Sequence, residues 1–167
     1  MKELEFKIKI PEGYTIDEEK SSFTKIVFKP IERIWVDLGL PSGNLWCDAN
    51  EEGYYNWNDA VEKFGESMPR LTDFVELYDY CKLECSGDKK GMIITGPNGN
   101  SIFLPASGYS SRDDGRLFGV DNEGCYWSAS PYKGDAHSLY FSIFGDVDLF
   151  NFDYLHHKLS IRLIKRK

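Results

Sequence analysis

Apolar and charged residues alternate along the first ten positions. Leu4, Phe6, Ile8 and Ile10 are set against Glu5, Lys7 and Lys9, which is the period of a half-buried strand. Pro11-Glu12-Gly13 breaks the pattern, and the polar run Tyr14 to Ser22 predicts a loop. Phe23 to Lys29 predicts a second strand. Pro30 follows directly; proline cannot donate to a sheet ladder, so a boundary is expected near residue 32. The chain therefore divides into a short β appendage at 1–32 and a main domain at 33–167. Residues 34–47 (IWVDLGLPSGNLWC) predict two short strands around a Pro41-Ser42-Gly43-Asn44 turn, with Trp46 on the second.

Two helices follow. Asn58 is the expected cap of a helix running to about Phe64, with Ala60, Val61 and Phe64 on its apolar side. Thr72 is the expected cap of Asp73 to Leu83, whose first turn carries Asp73 and Glu76, where carboxylates favour the helix dipole. Phe74, Leu77, Tyr78 and Cys81 trace the i, i+3, i+4, i+7 stripe of a packed helix, and Cys85 would share a face with Cys81. From Gly91 onward strand and turn signals dominate. Met92 to Thr95, the turn Gly96-Pro97-Asn98-Gly99-Asn100 and Ser101 to Leu104 read as a hairpin. Residues 108–124 are rich in glycine and acid and predict a long surface loop. Further strands are expected at Tyr126 to Ser128, Leu139 to Phe144, Val147 to Phe152 and Leu159 to Ile164. Together these predict an α+β class, two helices beside a mainly antiparallel sheet with long loops.

Composition narrows the function classes. The 167 residues carry 20 Lys and Arg against 27 Asp and Glu, a formal charge of −7. Nucleic-acid binding needs a clustered basic footprint, and only Lys165-Arg166-Lys167 approaches one, so no nucleic-acid partner is expected. Membrane insertion is not expected either, because no apolar run reaches the length of a span. The N-terminus lacks the apolar core of a secretory signal. If Met1 is the native start, the chain is expected to be made in the cytoplasm, reaching a virion or cell surface only by another route. Cys47, Cys81, Cys85 and Cys125 are expected as reduced thiols.

Several motifs stand in the order of a known bacterial family: VDLGLPSGNLW at 36–46, NSIFLPASGY at 100–109, CYWSAS at 125–130, LYFS at 139–142 and SIRLI at 160–164. Over about residues 34–164 the chain resembles the Fibrobacter succinogenes major paralogous domain family of Bacteroides-type bacteria and their phages. Tyr54 to Arg70 is shorter than the family's usual middle segment. The resemblance implies a C-type lectin-like fold near the formylglycine-generating (sulfatase-modifying) type, with two helices flanking a small sheet and the ligand surface on the C-terminal loops and hairpin. Formylglycine-generating enzymes bind copper through two late cysteines. Here the only late one is Cys125, so that activity and its metal are not implied.

The chemistry follows the same direction. The histidines His137, His156 and His157 come late, without a nucleophile turn that would signal a hydrolase. Trp57-Asn58-Asp59 spells a calcium-lectin tripeptide, but it opens a helix, where Asn58 serves better as a cap. Acid-rich turns at Arg112-Asp113-Asp114 and Asp121-Asn122-Glu123 could hold calcium, yet such turns are commoner without a metal; no metal or other cofactor is expected. Trp46 and Trp127 are expected in the core with partners for their N–H groups. Arg162, alternating with Ile161 and Leu163, is expected to face the other way and pair with a carboxylate.

Residues 126–155 hold nine aromatics in thirty positions, twice the 15% of the whole chain, interleaved with Asp, Asn and His. On the strand 139–144, Leu139, Phe141 and Ile143 share one face, leaving Tyr140, Ser142 and Phe144 on the other. Past the turn, Val147 and Leu149 point inward, Asp148 and Phe150 outward. Either a second layer covers these rings or they form a recognition surface of rigid aromatics with adaptable polar groups. The surface reading places Tyr132, His137, Tyr140, Phe144, Asp148, Phe150, Asn151, Asp153, Tyr154 and His156 in one exposed ligand-binding patch without catalytic residues. The expected function is a non-enzymatic module binding a glycan or protein, as in an adhesin or phage receptor-binding protein. The alternative is an enzyme of the formylglycine-generating type acting on a peptide or small molecule.

Overall fold

A computed structural model describes residues 8–11, 13–22, 25–30, 32–111 and 115–167, and contacts divide the chain into two units, Met1–Arg33 and Ile34–Lys167. In the first unit, β1 (Tyr14–Ile16) pairs antiparallel with β2 (Phe28–Pro30), Tyr14 opposite Pro30 and Ile16 opposite Phe28. The expected loop at 14–22 thus begins with a strand. Pro30 ends β2, where its missing N–H interrupts no ladder. Asp17 folds the chain back: its Oδ1 accepts from Lys20 N at 3.2 Å, and its own N–H donates to Val27 O at 2.8 Å. Most of the strand expected at 2–10 lies outside the described residues, as do Phe23 and Thr24 of the second; Ile8 to Ile10 is not strand.

The second unit is mixed α+β, mostly strand, with two short helices and three small antiparallel sheets. One sheet joins β3 (Trp35–Asp37), β4 (Leu45–Asn50) and the last strand β11 (Arg162–Lys165), with β4 in the middle. The second joins β5 (Lys82–Ser86), β6 (Gly91–Thr95) and β7 (Ser101–Pro105) as a meander. The third is also a meander, β8 (Glu123–Tyr132), β9 (Asp135–Ser142) and β10 (Val147–Asp153), with β9 central. Among the described residues no helix is long and apolar enough to cross a membrane.

Helix α1 (Trp57–Phe64) is capped by Asn56 rather than Asn58. The Asn56 Oδ1 accepts from Asp59 N at 2.9 Å, satisfying one of the free donors of the first turn. Helix α2 (Leu71–Tyr80) starts and ends earlier than the stripe predicts. The Asp73 carboxylate turns back to accept from Arg70 N at 2.6 Å, and Leu71 N donates to Ser130 Oγ of β8 at 3.0 Å, so Thr72 is not the cap. After Tyr80 the chain goes straight into β5, because Leu83 and Cys85 alternate with Lys82 and Glu84 and pair with β6. Cys81 and Cys85 therefore do not share a helix face, and all four thiols are free.

Strand alternation divides the core in two. Trp46, Phe74, Leu77, Met92, Ile94, Leu104, Tyr126, Leu139, Phe141 and Ile164 pack together on one side. Cys47, Ala60, Met68, Cys125, Trp127, Ala136, Leu159, Ile161 and Leu163 form the other cluster. Strand β8 sends Tyr126 to the first, and Cys125 and Trp127 to the second. Its neighbour β9 does likewise with Leu139 and Phe141 against Ala136 and half-buried Tyr140. Trp127 Nε1 donates to Tyr55 O at 2.8 Å, whereas the buried Trp46 Nε1 has no partner among the described residues. Arg162 is fully buried and pairs with no carboxylate among the described residues. Its guanidinium donates to Asn50 Oδ1 at 2.9 Å, Cys47 O at 2.9 Å and Phe103 O at 2.7 Å, fastening the first sheet to β7. Burial lowers its pKa, while the neighbouring Tyr126 phenol opposes the shift.

Candidate functional site

The ten residues expected in one patch lie on both faces of the third sheet. His137 pairs with Phe152, and with Tyr132 these rings form one cluster: Tyr132 lies 4.8 Å from His137 and 5.1 Å from Phe152 between centroids. His137 follows the alternation of Leu139 and Phe141, so this cluster sits on the first-core face. The His137 Nδ1 is buried without a partner among the described residues. Tyr140, Asp148, Asn151 and Asp153 belong to the opposite face. There Asp148 pairs with Tyr140, Asn151 with Ser138 and Asp153 with Ala136. Phe144 stands at the hairpin tip, 85% exposed, and Phe150 projects from an irregularity in the β9–β10 register between Asp148 and Asn151. At that irregularity Phe150 N donates to Asp148 Oδ1 at 2.9 Å, which withdraws one edge donor from pairing. Tyr154 and His156 are exposed just beyond the strand.

The second face is where fixed polar chemistry gathers. Ser138, fully buried on central strand β9, donates from Oγ to Asp153 Oδ2 at 2.7 Å. Asn151 Nδ2 donates both to Ser138 Oγ at 3.0 Å and to Asp153 Oδ2 at 3.2 Å. The other carboxylate oxygen, Asp153 Oδ1, meets His157 Nδ1 at 3.2 Å. His157 is reached because the chain turns immediately after β10, with His157 N donating to Tyr154 O at 2.8 Å. Around it pack Tyr109 at 5.9 Å, Tyr154 at 5.2 Å edge-on and His156 at 4.9 Å edge-on, while Tyr154 and His156 stack on each other at 5.6 Å and 11°. Ser138, Asp153 and His157 do not form a nucleophilic triad. The serine donates to the carboxylate instead of to the imidazole, so His157 is not placed to take its proton.

The electrostatics of this face are those of carboxylates beside half-buried phenols. The Tyr140 pKa is raised, by burial first and then by Glu123, and Asp146 adds to it. Tyr109 is raised by burial, with Glu123 and Asp153 contributing. Burial pushes the Cys125 thiol far up, with Asp153 and Glu123 acting in the same sense, so it remains protonated at neutral pH. Among the described residues no three His, Cys, Asp or Glu converge as metal ligands. Arg112, Asp113 and Asp114 lie outside the described residues, and Asp121 is engaged by Lys90 at 2.5 Å.

The residues that complete this face, Ser138, His157, Tyr109 and Glu123, were not among the ten. The available signal was the four-residue spacing of Asp153 and His157, which brings them together only if the chain turns after β10. Away from the sheet, a groove of about 420 Å³ is lined by Lys89, Ile93, Ser101, Ile102 and Phe103. No protein-family model, curated protein or solved structure matches the chain.

Proposed function

We propose that the chain is a non-enzymatic recognition module, of the kind used by adhesins and phage receptor-binding proteins, whose ligand docks on the second face of the β8–β9–β10 sheet. The carrying observation is the Ser138–Asn151–Asp153–His157 network, held by β9, β10 and the turn after β10 and flanked by the exposed, stacked rings of Tyr154 and His156. Rigid aromatic area next to polar atoms whose positions are already set loses little entropy on binding. The unit 34–167 fits a C-type lectin-like domain. Its first strand pair is closed by its last strand, and two short helices accompany the sheets. Three of the four thiols also agree with a binding role: burial raises the pKa of Cys81, Cys85 and Cys125, away from the thiolate that nucleophilic or metal chemistry requires.

The test is a screen of the whole chain against immobilised glycans and bacterial surface proteins, repeated with the Tyr154→Ala/His156→Ala double variant. A ligand bound by the native chain and at least tenfold more weakly by the variant, at unchanged melting temperature, supports the proposal. A ligand bound equally by both, or none at all, contradicts it.

A further inference from the structure

His157 uses one ring nitrogen in the network of this face, the contact of Nδ1 with Asp153 Oδ1. An ionised carboxylate only accepts hydrogen bonds, so the 3.2 Å contact with Asp153 Oδ1 requires the proton on Nδ1. The neutral imidazole then carries its lone pair on Nε2. No hydrogen bond from a described residue reaches that atom, and the side chain is 15% exposed. Asp153 is a positioning residue here, itself held by Ser138 and Asn151 through its other oxygen. Both Asn151 amide hydrogens are directed inward, toward Ser138 Oγ and Asp153 Oδ2, which leaves Asn151 Oδ1 as a second open acceptor.

We infer that His157 Nε2 is the acceptor that selects a hydroxyl-bearing ligand at this face, and that the ligand is a neutral glycan. The inference rests on the proposal that this face binds. The open atoms are neutral acceptors, so the ligand must bring donors. A phosphate or carboxylate brings none and would meet Glu123, Asp146, Asp148 and Asp153 on the same face. A lysine or arginine side chain brings donors but seeks a carboxylate, and those of this face are already engaged: both Asp153 oxygens as above, Asp148 Oδ1 by Phe150 N, Asp146 Oδ2 by Ser142 Oγ and Glu123 by the Tyr140 hydroxyl. Sugar hydroxyls suit neutral acceptors, and the apolar C–H face of a pyranose suits the stacked rings of Tyr154 and His156.

The test uses long-range proton–nitrogen NMR of the whole labelled chain, with methyl glycosides of glucose, galactose, mannose and N-acetylglucosamine as probes and N-acetyl-lysine amide as a cationic control. Expected is the Nδ1-protonated tautomer of the neutral His157 ring, lost or mixed in Asp153→Asn. At least one glycoside should move the His157 ring signals, and its affinity should fall at least tenfold in His157→Phe. His157→Gln, which offers an amide oxygen, should keep part of the binding and serves as the variant if His157→Phe fails to fold. A proton on Nε2 overturns the inference. So does a glycoside that binds His157→Phe as well as the native chain, though it then leaves the face as the binding site. Binding of the lysine amide alone overturns the glycan class. If no probe and no partner from the broader screen moves Tyr154 or His156, the binding proposal itself falls.

Discussion

Arg162→Met and Arg162→Ala test how the two sheets are held together. The guanidinium is fully buried, and its three acceptors come from β4 and β7. Truncation to Ala removes three hydrogen bonds to a charged donor, each worth roughly 1.5–3 kcal/mol, and exposes no water to replace them. Two offsets act against this sum. The charge has no carboxylate partner, so its own desolvation cost disappears with it, and Asn50 can turn its amide toward Tyr126, to which it already donates at 3.1 Å. The expected net loss is about 4 kcal/mol for Ala, of which roughly 1 is the cavity, and about 3 for Met, which keeps the volume but leaves Cys47 O and Phe103 O dry. Arg162→Lys should fall between Met and the native chain, since one ammonium reaches only part of the set. Against typical domain stabilities of about 5–15 kcal/mol these are large effects. Urea unfolding read by tryptophan fluorescence gives the midpoint, and an unchanged slope shows that the change is in stability. If the Met variant unfolds within 1 kcal/mol of the native chain, the three acceptors find other partners and Arg162 is not the fastener.

Trp127→Ala should cost about 3–5 kcal/mol, because it empties the centre of the second core cluster and removes the indole's bond to Tyr55 O, which keeps only Leu159 N as donor; a loss under 2 in denaturant melts would mean that the cavity collapses. Gly124→Ala should destabilise by about 1–3 kcal/mol, since a Cβ there would overlap the Phe141 ring; a neutral thermal melt would show that the ring moves aside freely. Stability should also decline from about pH 9 upward. Cys81 is pushed up to about 11 by burial and by Glu76, and Cys85, Cys125, Tyr109, Tyr126 and Tyr140 are raised in the same sense. Because these folded-state values lie above the unfolded ones, the unfolded chain releases protons first, and their contribution is full below pH 8 and lost as pH rises. Urea midpoints that stay flat from pH 7 to 10 would contradict this.

Local pattern carried most of the second unit. The Met92–Thr95 and Ser101–Leu104 hairpin was legible because alternation and the Pro97-Asn98-Gly99 turn agree, and β3 and β4 because Pro41 to Asn44 separates two apolar runs. The end of α2 was misread because the stripe through Cys81 overlaps the alternation of Leu83 and Cys85, and pairing with β6 decides for strand. Arg162 was placed on the correct side of its strand, but its acceptors come from residues 47, 50 and 103, which no local pattern connects. The same limit applies to the site. Leu139 and Phe141 were legible as core, yet β9 is central and a second core cluster reaches its other face, so Tyr140 is half-buried. Tyr132 and His137 then fall on the opposite face from Asn151 and Asp153. His157 becomes visible only once the chain turns back on Asp153.

The most direct test of the binding account is to map a ligand from the glycan screen by chemical-shift perturbation on the labelled chain. The account predicts shifts at Tyr140, Asp148, Asn151, Asp153, Tyr154, His156 and His157, with Tyr132, His137 and the groove at Ile93 and Phe103 unmoved. Shifts confined to Tyr132, His137 and Phe152, or to the groove, would contradict it.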